Sequence, residues 1–195
     1  NEGYKSFEDF LGSLSSRKRK AIRKERFIAS KDGDISFQIL EGGDITESDW
    51  DDFFHFYLDT SERKWGSPYL NRDFFSLAGE RMSNDIILIL AKYNKKTIAG
   101  ALNFIGGGIL YGRYWGCENY LPSLHFEICY YQAIDYAIIK GLSKIEAGAQ
   151  GSHKIARGYQ PIRTYSAHWI SNPTFREAIA NYLNSERKQV EIDIM

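Results

Sequence analysis

The feature that most constrains the fold is a set of three apolar segments within residues 85–116, joined by two short turns. The first segment, Asp85–Tyr93, is nearly all apolar, as expected of a central strand that is buried on both faces. Thr97–Ile105 and Ile109–Gly116 follow it after polar and glycine-rich turns. Because turns this short join antiparallel neighbours, the sequence predicts a three-stranded antiparallel meander.

A long helix and a short strand are predicted directly after the meander. Leu124–Lys140 is the predicted helix, and Gly141 ends it, as glycine commonly does just after a helix. Leu142–Ala147 is a short apolar strand candidate. Because the chain reaches this strand through a helical crossover, we expect it to pair in parallel with Ile109–Gly116.

Helices and single strands are predicted on both sides of this region. The upstream elements are helices at Phe7–Leu14 and Ser16–Ala29, a strand at Ile35–Leu40, a helix from Thr46 to about Lys64 and a helix from Asn71 to about Arg81. The downstream elements are a short helix at 152–158, a strand at Thr164–Ile170 and a helix at Thr174–Glu186. We therefore predict an α/β (α+β) domain at 32–195, with a mixed central sheet, preceded by a helical extension at 1–31 that contains a basic helix at 16–29.

Composition places the chain among ordinary globular proteins. Its 195 residues suit one domain, and 25 basic and 25 acidic residues cancel, so net charge indicates no polyanionic partner. Two cysteines, Cys117 and Cys129, form no disulfide framework and favour free thiols in a reducing cytoplasm. No apolar run approaches the ~18 residues of a membrane-spanning helix. We expect a cytoplasmic location.

Long motifs between residues 110 and 170 resemble one protein family. These motifs are Leu110–Cys117, Leu124–Gln132, Glu146–Lys154, Ala156–Pro161 and Thr164–Trp169. With Ser16–Arg26 and Lys64–Leu70, they closely resemble a bacterial family of predicted N-acyltransferases, called FemAB-like or peptidoglycan biosynthesis/recognition proteins, of the GNAT superfamily. Members of that family are about twice as long, so the resemblance implies that this chain is their C-terminal half. Ser152 departs from the family pattern, in which an acid is expected.

The resemblance implies a fold and an activity. In the GNAT fold, whose element order matches that predicted here, the sheet opens between the fourth strand and the next one, and the acyl donor enters there. The implied reaction moves an acyl or aminoacyl group onto an amine, with cell-wall or peptide modification as its implied context. Acyl-CoA or aminoacyl-tRNA would be a co-substrate, with no permanently bound cofactor. The alternatives are a non-catalytic ligand-recognition module and a structural half whose active site lies elsewhere.

The donor is left open by the sequence. The usual GNAT pyrophosphate loop before the long helix is replaced by Gly116–Pro122, which favours aminoacyl-tRNA over coenzyme A. Residues 17–26 carry seven basic groups and one acid, and in a helix they leave Ala21 and Ile22 as a thin apolar seam. This helix either packs on the missing half or contacts phosphates of tRNA or lipid. The residues of the possible tRNA contact are Arg17, Lys18, Arg19, Lys20, Arg23 and Lys24.

Three residues are candidates for proton transfer. Glu127 is the first candidate base, because it begins the long helix where the sheet should open, although the helix dipole alone would also favour a carboxylate there. His125 would converge with Glu127 only if the helix begins irregularly. Tyr159 lies where GNAT proteins often carry a tyrosine that acts as a general acid. The alternative is that Tyr159 is a tyrosine packed in the core. His125, Cys129 and Gln132 share a helix face that could line a pocket but do not form a convincing metal site.

Seven residues are candidates for substrate binding. They are Arg113, Trp115, Glu146, Gln150, His153, Lys154 and Arg157. Arg113 and Trp115 alternate on the third meander strand, and a charge in a central strand favours the side of a cleft. Glu146 ends the next strand, and the glycines after it either approach a ligand or form a tight turn. Lys154 and Arg157 share one face of a short helix. They either bind an anionic donor or substrate together or belong to a basic turn exposed to solvent.

Overall fold

The computed structural model describes residues 2–63, 67–148 and 151–194. Its strands are β1 (Ile35–Glu41), β2 (Ile86–Tyr93), β3 (Lys96–Gly106), β4 (Ile109–Cys117) and β5 (Lys144–Glu146). Its α-helices are α1 (Phe7–Ser13), α2 (Ser16–Ala29), α3 (Glu47–Arg63), α4 (Arg72–Arg81), α5 (Leu124–Phe126), α6 (Gln132–Ile139), α7 (Ser152–Ile155) and α8 (Pro173–Ile194). A π-helical segment, Glu127–Tyr131, joins α5 to α6.

The strands form one sheet in chain order, β1 to β5. β1 to β4 are antiparallel, which confirms the predicted meander. β5 pairs in parallel with β4, from Ile109 opposite Lys144 to Tyr111 opposite Glu146. The helical crossover between β4 and β5 therefore produces the parallel pairing that the sequence predicts.

Side-chain caps fix the starts of three helices. The Ser6 side chain accepts a hydrogen bond from the Asp9 amide at the start of α1, and the Ser15 side chain accepts one from the Lys18 amide at the start of α2. Asn71 caps α4, which begins where the sequence predicts. Each cap satisfies a backbone N–H that has no partner inside its helix, and such a cap stabilises the helix by about 1 kcal/mol.

Two hydrophobic layers cover the two faces of the sheet. Leu88 and Leu90 of β2 face a layer that contains aromatic residues of α3 and α4, such as Phe53 and Phe75. Ile87 and Ile89 face the opposite layer, with residues of α5, α6 and the π-helical segment. Burial on both faces explains why β2 reads as an uninterrupted apolar run.

Residues downstream of β5 differ from the prediction. Thr164–Ile170 forms no strand, and the strand prediction there is wrong. Within the described residues no strand lies beside this segment, and Tyr165 and Trp169 are 88% and 82% exposed. A strand needs backbone partners on a neighbouring strand, and alternation alone does not supply them. The last helix, α8, extends to Ile194, beyond the predicted end at Glu186.

The contacts divide the chain into two compact units. Asn1–Gly151 forms one unit, with the sheet and α1 to α6, and Ser152–Met195 forms the other, with α7 and α8. The contacts therefore group α1 and α2 with the sheet, and the division at residue 31 stays a prediction. None of the described helices combines the length and the apolar character needed to cross a membrane.

Gly116 allows a close contact between β4 and α3. A Cβ added there would lie 2.3 Å from the carbonyl oxygen of Phe56, which belongs to the α3 backbone. We expect Gly116→Ala to lower the free energy of unfolding by about 1–3 kcal/mol, because backbone must move to admit the methyl group. Urea denaturation measures this. Gly12→Ala in α1 is the control, since no atom lies within 4 Å of its added Cβ, and it should stabilise the helix slightly. Equal stability of the two variants would contradict the close packing.

Candidate functional site

The sheet opens between β4 and β5. Their pairing stops after Tyr111 and Glu146, whereas β4 continues to Cys117. In the described part of the chain, the edge of β4 that faces β5 is therefore without a partner strand from Gly112 onward. An exposed strand edge presents backbone N–H and C=O groups that a ligand can bind. The predicted opening thus lies beside residues 112–117.

A pocket of about 380 Å³ lies at this opening. Its walls come from α3, the segment before α4, β3, β4, α5, the π-helical segment and Ala147 after β5. Tyr114 packs with the core layer on the α3 side, whereas Trp115 packs with the layer on the α5 side. Because the pocket lies at a sheet edge, both layers contribute to its walls. Its volume is within the range of pockets that hold small ligands.

A β-bulge in β4 shapes one wall of the pocket. Gly112 lies opposite Asn103 and Tyr114 lies opposite Leu102, which leaves Arg113 as the extra residue. A bulge bends the strand and changes where its side chains point. The predicted cleft residues, Arg113 and Trp115, both line the pocket, and Tyr114 between them lines it as well.

Arg113 lies in a cluster with two tyrosines. Its Nη2 donates a hydrogen bond to the hydroxyl of Tyr69 (3.2 Å), and its guanidinium lies 4.8 Å from the centre of the Tyr114 ring. The hydroxyls of Tyr69 and Tyr114 also share a hydrogen bond. Burial, followed by that hydrogen bond, raises the pKa of Tyr114 to about 12. Tyr114 therefore stays protonated at neutral pH and can donate a hydrogen bond to a ligand.

His125 lies on the opposite wall, on α5. Its ring meets Trp115 edge to face, with 4.7 Å between the ring centres, and it also contacts Phe126 and Tyr130. α5 begins directly after Ser123, whose backbone is left-handed, with φ of 63°. Among the described residues of the lining, His125 carries the imidazole, the side chain that most often acts as a general base in enzymes. It is therefore the best placed group for accepting a proton in this pocket.

A sequence comparison identifies the family of the chain. The sequence profile of the FemAB-like family of peptidoglycan biosynthesis/recognition proteins matches residues 1–195. The chain belongs to this family. No curated protein sequence matches it significantly.

Solved structures similar to the FemAB-like chain show its fold. One is an aminoglycoside acetyltransferase from an uncultured soil metagenomic sample in complex with sisomicin, with a TM-score of 0.53, 12% identity and coverage of 72% of this chain and 97% of that one. Another is a conserved protein of unknown function from Bacteroides thetaiotaomicron, with a TM-score of 0.53, 15% identity and coverage of 80% of this chain and 54% of that one. The FemAB-like chain thus spans about half of the Bacteroides protein. The predicted GNAT fold is confirmed.

Glu127, the first candidate base, lies outside the lining of the pocket. It is 1% exposed, and its Oε1 accepts hydrogen bonds from Arg26 Nη2 (3.0 Å) and Gln132 Nε2 (2.7 Å). Arg26 also pairs with Asp135, at 2.9 Å. Glu127 therefore joins α2 to the helix that follows β4, and these contacts give it a structural role. The base proposed below is a different residue.

Burial dominates the electrostatics of Glu127. It raises the pKa of this carboxyl group, whereas the charge of Arg26 and the hydrogen bonds from Gln132 and Arg26 lower it. Oε2 is buried and accepts no hydrogen bond within the described residues. Removing the cationic partner of a buried carboxylate with one unbonded oxygen is therefore expected to destabilise the folded protein strongly.

The π-helical segment changes the predicted helix face. His125 and Cys129 both line the pocket, as predicted, but the side chain of Gln132 contacts Glu127 instead. A π turn contains more residues than an α turn, so residues after it are rotated relative to an α-helical register. No pattern in the sequence indicated this segment.

Two further candidates lie near the end of β5. Glu146 is not among the described lining residues, and its Oε1 lies 3.7 Å from Lys144 Nζ. The neighbouring Ala147 does line the pocket. Gln150 lies outside the described residues. The substrate-binding roles of Glu146 and Gln150 stay predictions.

Four candidates belong to the second compact unit. Arg157 is buried and donates a hydrogen bond to the carbonyl of His153 (2.7 Å), which is one turn earlier. Burial lowers the pKa of Lys154. Tyr159 is half-buried. The roles of His153, Lys154, Arg157 and Tyr159 stay predictions.

The basic helix, α2, uses several of its cations within the chain. Arg23 pairs with Glu8 (2.6 Å), and Arg19 donates to the carbonyl of Leu14. The apolar seam consists of Ile22 and Ala29, whereas Ala21 is exposed, contrary to the prediction. Contact of α2 with tRNA stays a prediction.

The described residues offer neither a metal cluster nor a disulfide. In the ranges that the structure describes, no group of three or more His, Cys, Asp or Glu side chains is arranged to hold a metal ion. Cys117 is buried, Cys129 is half-buried, and they form no disulfide.

Proposed function

We propose that this FemAB-like chain is an N-acyltransferase in which the acyl group and the acceptor amine meet in the pocket beside β4. The observation that carries the proposal is that the pairing of β4 with β5 ends at Tyr111, which leaves the rest of this β4 edge, next to an imidazole, without a partner strand among the described residues. Transfer needs a donor carbonyl held in place, a deprotonated amine and close approach of the two. The strand edge and His125 meet these needs.

The backbone of β4 serves as the binding surface for the donor. Amide N–H groups within residues 112–115 that face away from β3 would donate hydrogen bonds to the acyl carbonyl, and these bonds strengthen as its oxygen gains negative charge. The protonated hydroxyl of Tyr114 is a further donor on the same strand. These groups polarise the carbonyl without themselves losing a proton.

His125 serves as the general base. The amine nitrogen attacks the carbonyl carbon, a C–N bond forms, and the bond from that carbon to the sulfur or oxygen of the leaving group breaks. His125 accepts the proton that the amine loses and returns it to the leaving group. Its contact with Trp115 holds the ring at the pocket wall.

Binding of candidate donors tests the proposal. Thermal unfolding of the chain would be followed with acetyl-CoA, longer acyl-CoAs and charged tRNA. A ligand at 100 times its dissociation constant adds ~2.7 kcal/mol of stability. Stabilisation by acyl-CoA would support a coenzyme A donor, and stabilisation by charged tRNA alone would support an aminoacyl donor that contacts the exposed cations of α2.

Turnover separates the enzyme from a recognition module. The donor that binds would be incubated with a panel of amines, and acylated product would be detected by mass spectrometry. Acylated product that disappears when the β4 edge is blocked, as with Gly112→Pro, would support the proposal. Stabilisation by ligands without any acylated product would instead favour a non-catalytic recognition module.

A further inference from the structure

The described lining of the pocket contains no carboxylate. Arg113 is its one formally charged side chain among the described residues. Asp59 and Glu146 are each adjacent in sequence to a lining residue, and both lie near basic side chains, Arg63 and Lys144 respectively. The pocket therefore presents positive charge to whatever enters it.

Arg113 is held in place but keeps donors for a ligand. The hydroxyl of Tyr69 accepts one of its hydrogen bonds, and the ring of Tyr114 lies under its guanidinium. No described carboxylate forms an ion pair with it, and its side chain is exposed. A guanidinium has five N–H donors in a planar fork, and two of them can bind one carboxylate side by side.

A buried hydroxyl is a second polar group in the lining of the pocket. The Thr60 hydroxyl on α3 is buried and has no hydrogen-bond partner within the described residues. A buried hydroxyl without a partner is costly, so such a group in a pocket is expected to bond to a ligand or to water. The Thr60 hydroxyl can donate or accept a hydrogen bond, whereas Arg113 offers donors only, so Arg113 is the group that favours a ligand with oxygen acceptors over one with many ammonium groups.

We infer that the acceptor amine of this site also carries a carboxylate, as a free amino acid or a peptide with a free C-terminus does, and that Arg113 binds that carboxylate. The inference rests on the proposed N-acyl transfer and adds the class of acceptor. A polyamine would bring further positive charge to Arg113 and find no described carboxylate in the pocket. Arg113 is thus a specificity-determining residue for the acceptor.

A matched pair of acceptors tests this. Alanyl-alanine and alanyl-alaninamide present the same amine but differ in the carboxylate, and sisomicin represents polyamines. We expect kcat/KM to favour the free acid over the amide, and Arg113→Gln to reduce this preference about 10–100-fold through the KM of the acceptor. Arg81→Gln is the control, because Arg81 is an exposed arginine in the last turn of α4.

The outcomes separate this inference from the proposed function. Turnover that is equal for acid and amide, or that favours sisomicin, would overturn the carboxylate inference and leave N-acyl transfer intact. An effect of Arg113→Gln on the KM of the donor alone would also overturn it. Thermal stabilisation by alanyl-alanine that Arg113→Gln abolishes, without turnover, would support the carboxylate site and count against the transferase. Neither stabilisation nor turnover with any of the three amines would overturn both.

Discussion

Arg26→Ala is expected to lower the free energy of unfolding by about 3–5 kcal/mol. The substitution leaves the Glu127 carboxylate buried without its cationic partner, whereas Oε2 is already unbonded within the described residues. It also removes the ion pair with Asp135 and the contact of the guanidinium with the Phe7 ring. Urea denaturation of the wild type and the variant measures the loss.

The loss should depend on pH in a defined direction. The folded-state pKa of Glu127 is raised by burial, and Arg26 is a cause that lowers it, so Arg26→Ala should raise it further. A carboxyl group with a raised pKa binds a proton more tightly when folded. The free-energy cost of ionising this group in the folded protein is absent below the pKa of the unfolded state, and it grows as the pH rises to the pKa of the folded state. Arg26→Ala should therefore lower the free energy of unfolding less at about pH 5 than at about pH 8. The double variant Arg26→Ala/Glu127→Gln should lose this dependence on pH.

Arg23→Ala is the matched control for Arg26→Ala. Arg23 lies on the same helix and pairs with Glu8, but the two side chains are 55% and 68% exposed. Exposed ion pairs contribute about 0–1 kcal/mol, so this variant should unfold almost like the wild type. Similar losses for the two variants, or a loss for Arg26→Ala that does not change with pH, would contradict the role of the buried pair.

Most of the fold could be predicted because its signals are local. The apolar runs of β2 to β4 and their short turns define the meander, and Gly141 marks the end of the crossover helix. Thr164–Ile170 carried a local signal too, but strand formation also requires a neighbouring strand. Alternation alone could not reveal that this partner is missing among the described residues.

The site was predicted less completely because its decisive contacts are not local. Arg113, Trp115 and His125 come together as the predicted opening of the sheet requires. Glu127 is different, because a carboxylate early in a helix looks the same whether it serves catalysis or a distant ion pair. Its partner, Arg26, lies 101 positions away. The bulge at Arg113 and the π-helical segment also depend on packing and had no sequence signal.

His125→Asn is expected to lower kcat by about 10²–10⁴-fold, because the pocket would lose its proposed general base. Asparagine is polar and smaller, and its amide cannot accept a proton from the amine at neutral pH. The rate of the wild type should fall in acid as the base becomes protonated, and the variant should lack this fall. Steady-state rates across a range of pH, with the donor identified by binding, measure both effects.

The matched control separates catalysis from packing. His55→Asn introduces the same change at an exposed residue of α3 that does not line the pocket. It should keep the kcat of the wild type, and both variants should keep similar thermal stability. A kcat for His125→Asn above about one tenth of the wild-type value, with the fall in acid preserved, would exclude His125 as the base. The backbone N–H groups of β4 and the hydroxyl of Tyr114 would then carry the remaining catalysis through polarisation of the carbonyl, since neither depends on a neutral imidazole.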